Sequence, residues 1–122
     1  MRALVVDDSR AMRSILGGIL EEVGFEVVQV PDAEEADHLL HVDRTFDLAL
    51  IDWNLPAMNG LDLVKALRSR SELGGIRLMM VTTETELARV REALEAGADE
   101  YIMKPFDKEM LLEKLQLLGL ES

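Results

Sequence analysis

Short apolar runs alternate along the chain with longer segments in which apolar residues recur every three or four positions. Such short runs are typical of strands covered on both faces, and the longer segments are typical of amphipathic helices. The predicted strands are Ala3–Val6, Phe25–Val30, residues 48–51 leading to Asp52, Ile76–Val81 and Glu100–Met103. Because each crossover must be right-handed and each helix must cover a sheet face, this order predicts a single α/β domain with a doubly wound, five-stranded parallel sheet and five helices.

The predicted helices are defined by apolar faces and by residues suited to their ends. The positions predicted to face the sheet are Met12, Ile15, Leu16, Ile19, Leu20 and Val23; Ala33, Ala36, Leu39 and Leu40; Leu61, Leu63, Val64 and Leu67; Leu87, Val90 and Leu94; and Leu111, Leu112, Leu115 and Leu118. Ser9 and Asp107 are suited to cap the first and last helices, and Thr83 with Glu86 forms a capping-box pattern for the fourth. Gly24 is expected to end the first helix.

Length and composition narrow the class of protein. The chain has 122 residues, of which 48% are hydrophobic, and it contains no cysteine. This is enough for one packed core without disulfides. No run is long enough to span a membrane, and Asp7 and Asp8 interrupt the N-terminal run too early for a signal peptide, so we expect a soluble, cytoplasmic protein. The net charge of −11 disfavours binding to nucleic acid or an anionic membrane, and it is compatible with holding a cation.

Polar residues follow four of the predicted strands at the point where each strand ends. They are Asp7, Asp8, Asp52, Thr82 and Lys104. Because the carboxyl ends of parallel strands meet at one edge of the sheet, these residues are predicted to converge although they are far apart in sequence. Any one of them alone would be an ordinary cap or surface residue. Their joint position favours a functional site.

The residue types at this edge indicate a particular chemistry. Three crowded carboxylates repel one another and would raise one another's pKa unless a cation neutralised them. Ligands that are all oxygen, without His or Cys, suit Mg²⁺ or Mn²⁺. A carboxylate beside such an ion, with a lysine and a threonine hydroxyl close by, has the groups needed for phosphoryl transfer to an aspartate.

Several motifs at these strand ends resemble one family. They are Val5-Val6-Asp7-Asp8-Ser9, the segment from Asp52 through Leu61, Met80-Val81-Thr82, Ala96-Gly97-Ala98 and Lys104-Pro105-Phe106. As a set they resemble the receiver domain of two-component response regulators, and in particular the chemotaxis receivers. The resemblance runs from the first strand through the last helix. It implies a flavodoxin-like fold with strand order 2-1-3-4-5, and a receiver domain over residues 1–122 without an output domain.

The resemblance implies a role for each acidic residue of the site. Asp52 is expected to be the phosphoacceptor. Asp8 and Asp52 are expected to bind Mg²⁺ directly, Asp7 to act largely through water, and the backbone carbonyl of Asn54 to complete the protein ligands. The expected activity is Mg²⁺-dependent self-phosphorylation and autodephosphorylation at Asp52, rather than the turnover of a conventional enzyme.

The resemblance also implies the residues that bind and report the phosphoryl group. Lys104 is expected to bind one phosphoryl oxygen and Thr82 to hydrogen-bond another. Tyr101 occupies the aromatic switch position of the family. The Lys104-Pro105 bond is expected to be cis, although only about 5–6% of X-Pro bonds are.

The partners implied by the resemblance are proteins of a signalling pathway. The phosphodonor is expected to be a sensor histidine kinase or a histidine phosphotransfer protein. An output protein is expected to bind the face formed by the fourth helix, the fifth strand and the fifth helix. Direct binding to nucleic acid or membrane is not expected. The protein is expected to be a monomer, or a dimer when phosphorylated.

Two departures from the family pattern and three alternative functions remain. Asn59 stands where the family more often has Asp, and Thr83 where Ala or Ser is commoner, which bears on the lifetime of the phosphoryl group.

A phosphatase of the haloacid dehalogenase type would need an acid at position 54, where this chain has Asn. A flavin- or nucleotide-binding module would need a phosphate-binding loop after the first strand in place of Asp-Asp-Ser. The chain could also be a receiver from a longer regulator, although Met1 and the short tail after the last helix favour a stand-alone protein.

Overall fold

The computed structural model describes residues 1–83 and 87–120, in which strands and helices alternate along the chain. The strands are β1 (Arg2–Val6), β2 (Glu26–Val30), β3 (Leu48–Asp52), β4 (Arg77–Thr82) and β5 (Glu100–Met103). The helices are α1 (Arg10–Glu22), α2 (Ala33–Val42), α3 (Gly60–Arg68), α4 (Leu87–Ala96) and α5 (Lys108–Leu117), with a short 3₁₀ helix at Ser71–Leu73. The predicted alternation of elements is therefore confirmed.

The five strands form one parallel sheet in the order β2-β1-β3-β4-β5. This is the predicted fold. The chain moves outward from β1 to β2 and then crosses back to β3, so the direction of winding reverses between β1 and β3. Ligands of such folds bind outside the carboxyl ends of the strands at this reversal. The ends of β1 and β3 are therefore where a site is expected.

The core lies on both faces of the sheet, and β3 contributes to both. All five residues of β3 are buried. Leu48 and Leu50 pack on the side covered by α1 and α5, whereas Ala49 and Ile51 pack on the side covered by α2, α3 and α4. Side chains of a strand alternate between faces, so a strand buried on both faces requires an uninterrupted apolar sequence. This explains the apolar run that leads to Asp52.

The prediction that Ile15 faces the sheet was wrong, because the side chain is 56% exposed. The buried residues of α1 are Leu16, Gly17 and Leu20. A Cβ atom at Gly17 would lie 2.9 Å from the side-chain nitrogen of Gln29, so the absence of a side chain allows α1 to approach β2 closely. The line of closest contact then runs along Leu16, Gly17 and Leu20, and Ile15 lies about 100° to one side of Leu16.

The predicted buried stripe of α4 was also partly wrong. Leu94 is 42% exposed and Val90 is half-buried, whereas Ala93 is fully buried. Helix α4 therefore packs on the sheet through Ala93. This small residue lets the helix backbone lie close to the sheet, and Leu94 points outward. The side chain of Leu87 and the predicted capping partner Glu86 lie outside the described part of the chain.

Side-chain caps fix where four of the helices begin near the carboxyl edge of the sheet, and Asp32 caps α2 by accepting from the Glu35 backbone N–H. The Ser9 side chain accepts a hydrogen bond from the Met12 backbone N–H, and Asp107 accepts one from Met110, as predicted. Asn59 caps α3 by accepting a hydrogen bond of 2.8 Å from the Asp62 backbone N–H. Asn is as good a capping residue as Asp, so this departure from the family pattern keeps the cap.

Candidate functional site

The end of β1 holds Asp7 in one orientation. Its backbone N–H donates to the Val30 carbonyl at 3.2 Å, which extends the pairing of β1 with β2 by one residue. One carboxylate oxygen accepts a hydrogen bond of 2.9 Å from the Ser9 backbone N–H. Asp7 is buried and the next residue, Asp8, is exposed. The chain therefore presents one fixed inner carboxylate and one outer carboxylate that solvent can reach.

Asp52 is the last residue of β3, and its position depends on a close contact with the start of α3. A Cβ atom built on Gly60 would lie 2.2 Å from the Asp52 backbone oxygen and 3.0 Å from the Trp53 Cα atom. The Gly60 N–H also donates to the Trp53 carbonyl at 2.8 Å. Asn59-Gly60 is typical of a turn, and that pattern gave no indication of this backbone contact.

Lys104 brings a positive charge to the two buried carboxylates. Its Nζ atom lies 3.3 Å from Asp7 Oδ2 and 3.4 Å from Asp52 Oδ1. The Lys104 backbone N–H donates to the Thr82 carbonyl at 2.8 Å, so the base of the side chain is fixed against β4. The Lys104-Pro105 peptide bond is cis, as predicted.

Asp7, Asp8 and Asp52 form an acidic cluster. Each offers a carboxylate oxygen, and these oxygens all lie within 4.8 Å of one another. This spacing allows one ion to contact all three groups, and an all-carboxylate donor set suits a hard divalent cation. The residues present therefore fit Mg²⁺ or Mn²⁺.

Burial raises the pKa of the Asp52 carboxyl above its ordinary value, and the negative charge of Asp7 raises it further. Lys104 and the Asn54 backbone N–H act in the opposite direction on this pKa, but they do not cancel the increase. Desolvation and a neighbouring like charge both disfavour the ionised form of an acid. Without a bound cation, the negative charge of Asp52 is therefore unfavourable to the folded state.

The Asp52→Asn variant is expected to be more stable than the wild type by about 1 kcal/mol at neutral pH without a divalent cation. Because folding raises the pKa of the Asp52 carboxyl, the folded wild type binds a proton at Asp52 more readily than the unfolded chain does. The stability of the wild type therefore falls as the pH rises from the pKa of Asp52 in the unfolded chain through its pKa in the folded protein. Urea unfolding with a chelator, at neutral and mildly acidic pH, measures this. The gain should shrink as the pH is lowered, because protonation removes the charge of Asp52.

Asp62→Asn is the matched control for that variant, since Asp62 is an exposed residue in the first turn of α3. The same chemical change there should lower the stability slightly, by at most about 0.5 kcal/mol, because an acid at a helix N-terminus is favourable. Equal changes in stability for Asp52→Asn and Asp62→Asn would refute the conclusion that the negative charge of Asp52 destabilises the folded state.

Thr82 lies on β4, the neighbour of β3, and Tyr101 lies on β5, which pairs with β4 at the edge of the sheet. Thr82 is buried at the end of β4, and Tyr101 is half-buried in β5, opposite Met80 in the register. The Tyr101 ring packs against the core, and Lys114 Nζ of α5 lies 4.5 Å from its centroid. Tyr101 is thus partly enclosed by its own strand and by α5.

The comparisons with known proteins agree with this architecture. Residues 3–116 match the family model of the response regulator receiver domain. The chain belongs to this family. Chemotaxis protein CheY1 of Helicobacter pylori is 44% identical over 119 residues, which cover 97% of this chain and 96% of that protein. The chemotaxis protein CheY homolog of Campylobacter jejuni is 42% identical over 124 residues, covering 100% of this chain and 95% of that protein.

The receiver domain is also similar to solved structures. The chemotaxis response regulator CheY4 of Vibrio cholerae superposes with a TM-score of 0.89 at 36% identity, covering 96% of this chain and 97% of that chain. In sequence and in fold this is a CheY-like receiver domain of two-component signalling. Neither the phosphatase nor the flavin-binding alternative is favoured by these matches.

The receiver domain brings together most of the residues that the sequence analysis singled out. Ion pairs join Lys104 to Asp7 and Asp52, and Asp8 belongs to the acidic cluster. Thr83, the second departure from the family pattern, is exposed and lines the same surface groove as Lys104. Among residues 1–83 and 87–120, no helix combines the length and the apolar character needed to cross a membrane.

Proposed function

We propose that the receiver domain is a phosphorylation-activated switch that accepts a phosphoryl group on Asp52 from a phosphohistidine, and that Mg²⁺ is required. The observation that carries the proposal is the environment of Asp52. It is a buried carboxylate at the end of the central strand, within 3.4 Å of a lysine ammonium and in a cluster with two further acids. In a CheY-like receiver domain, this combination supports nucleophilic attack by Asp52 on phosphorus.

Asp7, Asp8 and Asp52 would hold the ion, which we propose to be Mg²⁺, with Mn²⁺ as a substitute. The backbone carbonyl of Asn54, two residues beyond Asp52, is proposed as a further ligand. When bound, the ion neutralises negative charge on the carboxylates and on the incoming phosphoryl oxygens. The raised pKa of the Asp52 carboxyl supports this assignment, because a cation would relieve the repulsion that contributes to it.

The proposed step at Asp52 is a displacement at phosphorus. A carboxylate oxygen of Asp52 forms a bond to phosphorus, the bond between phosphorus and the imidazole nitrogen breaks, and the nitrogen leaves with the electron pair. Lys104 is proposed to bind a phosphoryl oxygen through its ammonium group, which already lies between Asp7 and Asp52. Attack by water on the acyl phosphate would return Asp52 to its free form.

Phosphorylation is proposed to be read out through Thr82 and Tyr101. The phosphoryl group adds negative charge and acceptor oxygens at the end of β3, and the Thr82 hydroxyl on the neighbouring strand would donate to one of them. Movement of Thr82 towards Asp52 would give the Tyr101 ring space to favour its buried rotamer. Because the group shifts an equilibrium only through contacts that differ between the two states, Thr82 is the proposed coupling residue.

The proposed output surface is the face formed by α4, β5 and α5. Four large apolar residues in the described parts of these elements are exposed to solvent: Leu94, Met103, Met110 and Leu117, at 42%, 38%, 41% and 73%. Exposed apolar residues next to the switch residue support binding of a partner protein there. We propose a sensor histidine kinase or a histidine phosphotransfer protein as the phosphodonor, and a cytoplasmic location. The protein is proposed to be monomeric, or dimeric when phosphorylated.

The readout is tested with a beryllofluoride mimic of the phosphoryl group and Tyr101 side-chain NMR signals. Wild-type protein should shift towards the buried ring state when Mg²⁺ and beryllofluoride are added. Thr82→Ala should bind the mimic but lose most of the shift, and Thr82→Ser, which keeps the hydroxyl, should retain it. If Thr82→Ala responds like the wild type, the coupling does not run through Thr82.

A further inference from the structure

Arg13, in the second turn of α1, makes one hydrogen bond that reaches the site. Its Nη1 atom donates to the backbone carbonyl of Asp7 at 2.7 Å. Arg13 is half-buried, and its backbone N–H donates to the Ser9 carbonyl at 2.9 Å within the helix. The guanidinium therefore reaches back from the helix to the end of β1. A hydrogen bond from a charged donor is stronger than one between neutral groups.

The bond from Arg13 completes the set of contacts that fix Asp7. The Asp7 backbone N–H donates to the Val30 carbonyl. One carboxylate oxygen of Asp7 accepts from the Ser9 backbone N–H, and the other accepts from the Lys104 ammonium at 3.3 Å. The backbone carbonyl is the remaining polar group, and Arg13 holds it. This carbonyl belongs to the peptide that joins Asp7 to Asp8. Because the peptide group is planar, the direction of the carbonyl sets where the Asp8 backbone begins.

We infer that Arg13 is a positioning residue for the cation site: it fixes the Asp7-Asp8 peptide and thereby directs the Asp8 carboxylate towards Asp7 and Asp52. Asp8 is exposed, so packing of its own side chain contributes little to its orientation. The inference rests on the proposed function, since it concerns the affinity of the same three carboxylates for Mg²⁺. Residues that orient metal ligands without touching the metal commonly change metal affinity by about 10- to 100-fold.

The two effects of Arg13 on a cation have opposite signs. Its positive charge lies close to the acidic cluster and repels Mg²⁺, so removing the charge alone would strengthen binding. Its hydrogen bond orients the ligands, so removing the bond would weaken binding. The sign of the change in Mg²⁺ affinity therefore separates a positioning role from a purely electrostatic one.

The test is a Mg²⁺ titration of Arg13→Met, followed by Trp53 fluorescence and by calorimetry. Trp53 directly follows Asp52 and is buried, so its emission is expected to respond to the ion. Arg13→Met should bind Mg²⁺ about tenfold more weakly than the wild type, although it has lost a positive charge. Arg13→Lys keeps a charged donor and should recover part of the affinity. At saturating Mg²⁺, Arg13→Met should be phosphorylated at close to the wild-type rate.

Arg10→Met is the matched control. Arg10 is the exposed first residue of α1, and its side chain takes part in none of the hydrogen bonds or ion pairs found within residues 1–83 and 87–120. Losing its charge should leave the Mg²⁺ affinity unchanged or slightly higher. All titrations are made well below the melting temperature of each variant, so that each dissociation constant refers to folded protein.

Two results would overturn the inference while leaving the proposed function intact. Binding by Arg13→Met that is as tight as, or tighter than, that of Arg10→Met would show that Arg13 acts only through its charge. A lower melting temperature with an unchanged dissociation constant would show that Arg13 serves only the stability of the fold. Absence of Mg²⁺ binding in the wild type would instead overturn the proposed function and this inference with it.

Discussion

Replacing Gly60 by alanine is expected to destabilise the receiver domain by about 3 kcal/mol. The added Cβ atom would lie 2.2 Å from the Asp52 carbonyl oxygen and 3.0 Å from the Trp53 Cα atom. Both neighbours are backbone atoms, so neither can turn aside as a flexible side chain would. The start of α3 and the end of β3 must separate, and the displaced backbone carries Asp52 away from Asp7 and Lys104. Urea unfolding measures the loss of stability, and a Mg²⁺ titration measures the damage to the site.

Gly18→Ala is the matched control for the change at Gly60. Gly18 is exposed in the interior of α1, and a Cβ atom there has nothing within 4 Å. Alanine should stabilise the helix at that position by up to about 1 kcal/mol and leave Mg²⁺ affinity unchanged. If Gly60→Ala were as stable as the wild type, the close contact between α3 and the Asp52 backbone would not be a constraint on the site.

The Lys104→Met variant should lose about 3 kcal/mol of stability at neutral pH without a divalent cation. Lys104 Nζ is the cation that contacts both buried carboxylates, at 3.3 Å and 3.4 Å. Methionine fills a similar volume but leaves the two negative charges uncompensated. The loss should shrink as the pH is lowered, because the pKa of Asp52 is already raised and would rise further without Lys104.

Mg²⁺ should restore much of the stability that Lys104→Met loses. An ion at a concentration of about 100 times its dissociation constant stabilises the folded state by about 2.7 kcal/mol. The control is Lys108→Met, since Lys108 is exposed and pairs with Glu22 on the surface. Lys108→Met should lower the stability by less than about 1 kcal/mol. Mg²⁺ should not change the stability difference between this variant and the wild type. Equal losses in the two variants would contradict the role of Lys104 as the counter-ion of the site.

The sequence predicted the sheet well because β3 and its neighbours are buried on both faces, and such strands need continuous apolar runs. The convergence of Asp7, Asp52 and Lys104 followed from parallel topology alone. Helix faces were less predictable. The apolar stripe of α1 is wider than the surface it buries, so periodicity could not show that Ile15 is exposed. In α4, spacing could not distinguish Ala93 from Leu94 as the residue of closest contact.

The contacts that fix the site were not accessible from the sequence, for a physical reason. Gly60 contacts the Asp52 backbone, and Arg13 contacts the Asp7 carbonyl. Both interactions depend on how closely the ends of neighbouring elements approach in the folded chain. Residue types and spacing show which side chains reach one edge of the sheet, but they do not show which neighbouring residue holds each one. The same applies to the cis Lys104-Pro105 bond, which was predicted from the family resemblance alone.

The role of Asp52 as the phosphoacceptor is tested most directly by locating the phosphoryl group after transfer from a phosphorylated histidine kinase or a small phosphodonor with Mg²⁺. Reduction of an acyl phosphate by borohydride converts the aspartate to homoserine, and peptide mass spectrometry identifies the position. We expect one phosphoryl group per chain, conversion at position 52 alone, no reaction without Mg²⁺ and none in Asp52→Asn. Phosphorylation that persists in Asp52→Asn, or that is found on a serine, a histidine or another aspartate of the wild type, would contradict the role of Asp52 as the phosphoacceptor.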